Sequence, residues 1–164
     1  MTYTPNTPWV DGSGGGTPLS AARLNNMEAG ISPVYASYTP TWASSGTAPV
    51  IGNGVFVAQW LQIGKLVHFF GTVTFGSSST FGSGTYTFTL PVTASVLNPA
   101  GGVFLFDSSA SNYALATAFL TSSTAFQITY GATYLGALTH VGASAPWTWA
   151  TSDQIGWNLT YEAA

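Results

Sequence analysis

The sequence predicts an all-β protein: an antiparallel β-sandwich or jelly roll preceded by an extended arm and one short α-helix. Three observations carry this expectation. From Tyr38 onward apolar and polar residues alternate with a period of two, as on a half-buried strand. Clusters of Gly, Ser, Pro and Asn interrupt the alternation at the short intervals found in sandwiches and jelly rolls. Only residues 14–31, "GGGTPLSAARLNNMEAGI", carry helical spacing. The chain therefore divides into an arm with a helix, residues 1–35, and a β domain, residues 36–164.

Residues 1–16, "MTYTPNTPWVDGSGGG", are punctuated by Pro and Gly and have no core of their own. Thr17 is placed as N-cap, Pro18 at the first helical position, and Gly30 where a helix end needs positive φ. Between them Ser20, Leu24, Met27 and Ile31 recur at four, three and four residues, the spacing of a helix seam. A helix of about three turns is unstable alone in water, so the seam needs a surface. The β domain of the same chain and a neighbouring subunit both qualify.

Strands are expected near residues 38–43, 54–63, 66–75, 84–90, 102–106, 113–120, 124–130, 134–140 and 155–162. "YTFTLPV" alternates most plainly, with Tyr86, Phe88, Leu90 and Val92 on one face and threonines on the other. At Gly64-Lys65 a two-residue turn with Gly first predicts type II′ and so sets a register. Ile63 then faces Leu66, Trp60 faces Phe69, Ala58 faces Gly71, and Leu61 faces His68. Both faces of this hairpin are apolar. One suits a sandwich core; the other, with Val55, Val57, Leu61, Ile63, Leu66 and Phe70, also needs cover. An oligomer interface built from Val57, Leu61, Ile63, Leu66, His68 and Phe70 would supply it.

Composition supports an assembled protein. Charged residues make up 4% of the chain, against ~25% in an ordinary soluble domain. The two cations, Arg23 and Lys65, cannot neutralise a row of phosphates, so nucleic acid is not an expected partner. No apolar run approaches the ~20 residues of a membrane-spanning helix, and membrane insertion is not expected. Without cysteine there are no disulfides and no thiolate chemistry.

Catalysis would have to use His68, His140, Asp11, Asp107, Asp153, Glu28 or Glu162. None of these form a local motif, and no enzyme activity, metal or cofactor is expected. Carboxylates of a glycan hydrolase would need two of Asp107, Asp153 and Glu162 within about 5–9.5 Å; the simpler reading is that Asp107 and Asp153 cap turns. Trp147 and Trp149, with Tyr134, offer aromatic faces to a glycan. Core packing is their competing reading.

"TPWVDGSGGGTPLSAARLNNMEAGI" resembles the N-terminal element of minor tail and tail-fibre proteins of phages infecting actinobacteria and other Gram-positive hosts, where W-x-D-G precedes T-P-[LI]-[ST]-A-x-x-L-N-x-[ML]-E-x-G-I. The stretch from Tyr38 to Val92 resembles a β domain of the same phages through P-T-W, G-N-G, the I-G-K turn and G-S-G-T before an aromatic. The resemblance implies a virion structural protein, commonly a homotrimer, in a tail or on a capsid exterior. It also implies docking to other virion proteins through Trp9, Asp11, Leu24, Met27 and Ile31. A tail-tip or short tail-fibre protein touching the host surface is the first expectation. A capsid decoration protein or head fibre is the second, favoured by the missing shaft repeat.

Overall fold

The computed structural model describes residues 22, 24–27, 34–131 and 138–164. Ten strands follow in chain order: β1 (Ala36–Ser37), β2 (Trp42–Ser44), β3 (Val55–Ile63), β4 (Leu66–Thr74), β5 (Tyr86–Thr89), β6 (Pro99–Asp107), β7 (Asn112–Ser122), β8 (Ala125–Gly131), β9 (Leu138–His140) and β10 (Gln154–Glu162). All pair antiparallel in one sheet of order β1-β3-β4-β10-β6-β7-β8-β5-β2, with β9 beside β8. The expected antiparallel all-β fold is present, as a sheet curled into a sandwich-like shape.

The β3–β4 hairpin has the register its turn predicts. Ile63 lies opposite Leu66, Trp60 opposite Phe69, Ala58 opposite Gly71 and Leu61 opposite His68. Positive φ falls on Gly64, at 59°, and not on Lys65, which is the type II′ pattern. The strand expected at residues 38–43 is instead two short ones. Pro40 has no N–H to give a ladder, and the chain here changes partners: β1 pairs with β3, β2 with β5. Tyr38 spans the gap. Its N–H donates to Ala58 O at 3.0 Å, and its hydroxyl donates to Leu90 O at 3.0 Å and is hydrogen-bonded to Thr89 Oγ1 at 2.7 Å. Residues 36–44 thus strap the two ends of the sheet together and hold its curl.

The core inside the curl is aromatic. Phe69 on β4 lies 6.4 Å from Phe126 on β8, and Trp157 on β10 lies 5.7 Å from Phe88 on β5, ring centre to ring centre. Opposite halves of the sheet therefore meet directly, as offset and edge-on aromatic pairs prefer. Gly71 makes room for this. A Cβ there would stand 2.4 Å from the Ala58 Cβ and 2.9 Å from Trp157 Cζ2. Tyr86, Phe88 and Leu90 point inward and are buried, as their alternation predicts. At the strap end, Trp42 stacks on Phe75 at 5.0 Å and meets Tyr86 edge-on at 5.0 Å.

Candidate assembly surface

The strands that wall the core on one side, β3, β4, β10, β6 and β7, present a second face outward. Their registers place its side chains in cross-strand rows. Val55, Thr74, Gln154, Phe106 and Tyr113 form one row; Val57, Thr72, Gly156, Phe104 and Leu115 form the next; Gln59, Phe70, Asn158, Gly102 and Thr117 form a third. Leu61, His68 and Thr160, then Ile63, Leu66 and Glu162, complete it. Glu162 is the only charged residue in these rows. It pairs with Lys65 of the turn, Nζ to Oε1 3.6 Å, so charge is confined to one end.

The six residues expected at an oligomer interface all lie on this face. Val57 is 67% exposed, and Ile63 and Leu66 are exposed to a lesser degree; Leu61, His68 and Phe70 are half-buried. Tyr35 covers the last two. Its ring meets Phe70 edge-on at 5.2 Å, and its hydroxyl is hydrogen-bonded to His68 Nδ1 at 3.0 Å. On the other side His68 Nε2 is 2.9 Å from Asn158 Oδ1. A neutral ring protonated at Nε2 satisfies both contacts, donating to Asn158 and accepting from Tyr35. His68 is thus a hydrogen-bonded surface residue, held between Tyr35 and Asn158.

A second apolar cluster on this face was not singled out by sequence reasoning. Phe104 stacks against Phe106 at 6.4 Å and against Tyr113 at 6.1 Å, beside Leu115, which is 78% exposed. The signal was available: "VFLF" is apolar at every position, and in a strand that puts large side chains on both faces. Between the two clusters runs β10, whose outward positions are the small or polar Gly156, Asn158 and Thr160.

Of the expected docking residues, Leu24 and Met27 are helical and exposed and take no part in the core. Trp9, Asp11 and Ile31 lie outside the described residues, as does Tyr134 of the glycan set. The glycan reading of Trp149 is corrected. Its indole is 3% exposed, donates to Gly142 O at 2.8 Å and packs edge-on against Phe75, so no ring face is free for a sugar. Trp147 leans on it at 5.4 Å, half-buried, with an indole N–H that has no partner among the described residues.

The carboxylates are engaged locally. Asp107 accepts from the Ser109 hydroxyl at 2.8 Å, the Ala110 N–H at 3.1 Å and the Ser109 N–H at 3.0 Å. These donors, the Ser109 hydroxyl foremost, hold its carboxyl below the usual range. Asp153 is buried and accepts from the Ser108 N–H at 2.9 Å and the Ala150 N–H at 2.8 Å, tying two neighbouring turns together. Asp107 and Asp153 stand next to each other, one position beyond the Phe106–Gln154 pair of β6 and β10, and both carboxylates are engaged by turn amides. Glu162 ends the strand that Asp153 precedes, roughly 30 Å away for nine residues of extended chain, outside the span of a hydrolase pair. Among the described residues no three His, Cys, Asp or Glu side chains come together as metal ligands would.

No family model, curated protein or solved structure matches this chain.

Proposed function

We propose that this chain is a structural component of a phage virion: a homotrimer docked through residues 1–35, projecting its β domain at a tail tip or short tail fibre against the host surface. The observation that carries the reading is the uncharged outward face. Five strands about 4.8 Å apart and nine residues or more long at about 3.3 Å each give it roughly 700 Å² in plan. Within it two apolar clusters, Val55 and Val57 on one side and Phe104, Phe106, Tyr113 and Leu115 on the other, flank the small and polar positions of β10, and Glu162 alone is charged. A free monomer seldom leaves so much apolar side chain open on one face. The domain already has a complete core of its own, so this surface is surplus to folding. The likeness of residues 9–31 and 38–92 to phage tail proteins supplies the setting, and other virion proteins and host-surface glycan are the corresponding partners. Placement on the capsid, as a decoration protein or head fibre, is the second reading. It is favoured by the direct succession of the arm and the β domain, with no repeat between them.

Light scattering on the purified protein is expected to give about three times the chain mass, as a closed cyclic trimer requires. A monomer at micromolar concentration overturns the reading. Imaging of virions carrying a labelled copy then separates the placements, with density at the tail tip supporting the first and density on the capsid the second.

A further inference from the structure

Resting on that reading, the geometry points to a specific mode of assembly: the aliphatic shoulder of the outward face in one copy packs against the aromatic shoulder in the next, with β10 of each copy along the threefold axis. The interface is heterologous. Residue 57 of one copy meets residue 115 of its neighbour, and neither residue meets itself.

Three observations lead there. The outward face belongs to a curled sheet, as the Phe69–Phe126 and Phe88–Trp157 contacts across its hollow require, so it is convex. Its ridge is β10, whose outward residues are small or polar; its shoulders are apolar and of different kinds, Val55 and Val57 on one and Phe104, Tyr113 and Leu115 on the other. A convex wedge with two unlike shoulders closes into a ring by repeated head-to-tail contact, whereas a twofold dimer needs a patch that fits its own copy. Along the strands, Val57 and Leu115 share one cross-strand row, and Val55 and Tyr113 share the next. Rotation about an axis parallel to β10 keeps each row at its own height. The two ends of a row are then brought together between copies without any shift in register.

Charge complementarity names a second copy as the occupant. A partner for this face must be apolar and nearly free of charge where it lies against the rows, because an unpaired charge facing them would be desolvated without compensation. The face itself meets that description: its single charged residue, Glu162, sits at one end and is already paired with Lys65. Each shoulder offers the other a neutral surface, and the threonines and amides between them are free to hydrogen-bond near the axis.

The native chain has no cysteine, so introduced thiols report unambiguously. Val57 and Leu115 are exposed, and their replacement leaves the core untouched. A Val57→Cys, Leu115→Cys double variant, oxidised or treated with a short bismaleimide, is expected to run as a covalent trimer on a non-reducing gel. A mixture of the two single variants is expected to give cross-linked dimers, and each single variant alone none. As an independent readout, Val57→Lys alone and Leu115→Glu alone are expected to lose the trimer, and the two on one chain to regain it through the new ion pair. Self-cross-linking of either single variant overturns the heterologous arrangement. So does an intact trimer that gives neither the 57–115 cross-link nor the charge rescue. A wild-type monomer overturns the proposed function itself, which keeps the two failures apart.

Discussion

Both faces of the five strands β3, β4, β10, β6 and β7 carry large apolar side chains, and these have opposite fates. Inward, Phe69, Leu105, Ile155 and Leu159 are fully buried. Outward, Val57, Leu66, Tyr113 and Leu115 are mostly exposed. The inward positions are apolar almost throughout, whereas the outward ones mix apolar residues with Thr72, Thr74, Gln154, Asn158 and Thr160. Connectivity then covers the inward face and leaves the outward apolar side chains open. The strap at residues 36–44, together with β5 and β8, folds the far half of the sheet over one face only. Burial there contributes about 25 cal/mol per Å² of apolar surface, and the outward face gains the same only from another molecule.

The largest test of that contrast is a matched pair of truncations. Phe69→Ala removes a ring that touches Tyr38, Trp157 and Phe126, and a well-packed aromatic core can close only part of such a hole. A loss of about 3–5 kcal/mol is expected, read as a lowered urea midpoint. Leu115→Ala, measured at concentrations where the chain is dissociated, is expected to change domain stability by no more than about 0.5 kcal/mol. Equal losses at the two sites would mean that the outward face is covered within one chain, and the comparison would fail.

Legibility in the sequence follows the same division. Local chemistry was readable: Gly64-Lys65 specified the hairpin register residue for residue, and the alternation at Tyr86, Phe88 and Leu90 identified inward positions. Most strand limits lie within a few residues of their expected places because turn-forming clusters end them. Partners distant in sequence were not readable. Nothing near Pro40 says that the chain there crosses from β3 to β5, and nothing in "IGWNLTYE" says that this strand inserts between β4 and β6. The outward face was half legible for that reason. The β3–β4 part follows from one hairpin, whereas its continuation onto Phe104 and Tyr113 depends on β10 bridging the two. For Trp149 the sequence left glycan contact and core packing both open, because its burial depends on Phe75 and Gly142, neither of them sequence neighbours within a turn.

A smaller effect is expected at the end of the sheet where both faces run out into turns. Asp153 is buried, and its two oxygens accept the N–H groups of Ser108 and Ala150. Asp153→Ala leaves both amides without that partner at a cost of about 1–3 kcal/mol for each one that water does not reach. Hydrogen exchange sharpens the result: faster exchange is expected at Ser108 and Ala150, with Phe70 and Gly71 in mid-sheet unchanged. A variant as stable as the parent would show that the turns hold themselves, and that Asp153 is available for some other use.

The smallest expected effect is confined to alkaline pH and comes from polar groups set into the inward face. Tyr86 is fully buried, with its hydroxyl donating to Phe81 O at 3.0 Å, and burial pushes its phenol far above the usual value. Burial also pushes the Tyr161 phenol up to about 12, against the lowering effect of its hydrogen bond with Val92 and with a minor contribution from Tyr38. An unfolded tyrosine ionises near pH 10. Because the folded state holds these protons more tightly, their contribution is complete below about pH 10 and is lost as pH rises from there through about 12. Lys65 is the only lysine, but six other tyrosines share the window, so single Phe variants are needed to isolate these two phenols. Urea midpoints between pH 8 and pH 12 are therefore expected to stay level and then fall, with a shallower alkaline limb in Tyr86→Phe and Tyr161→Phe. The slope rather than the offset is diagnostic, because each Phe variant also loses a hydrogen bond at neutral pH. An alkaline limb of unchanged slope in both variants would mean that the inward tyrosines release their protons as readily as they do in water, and that the core side of the sheet is wetter than its packing implies.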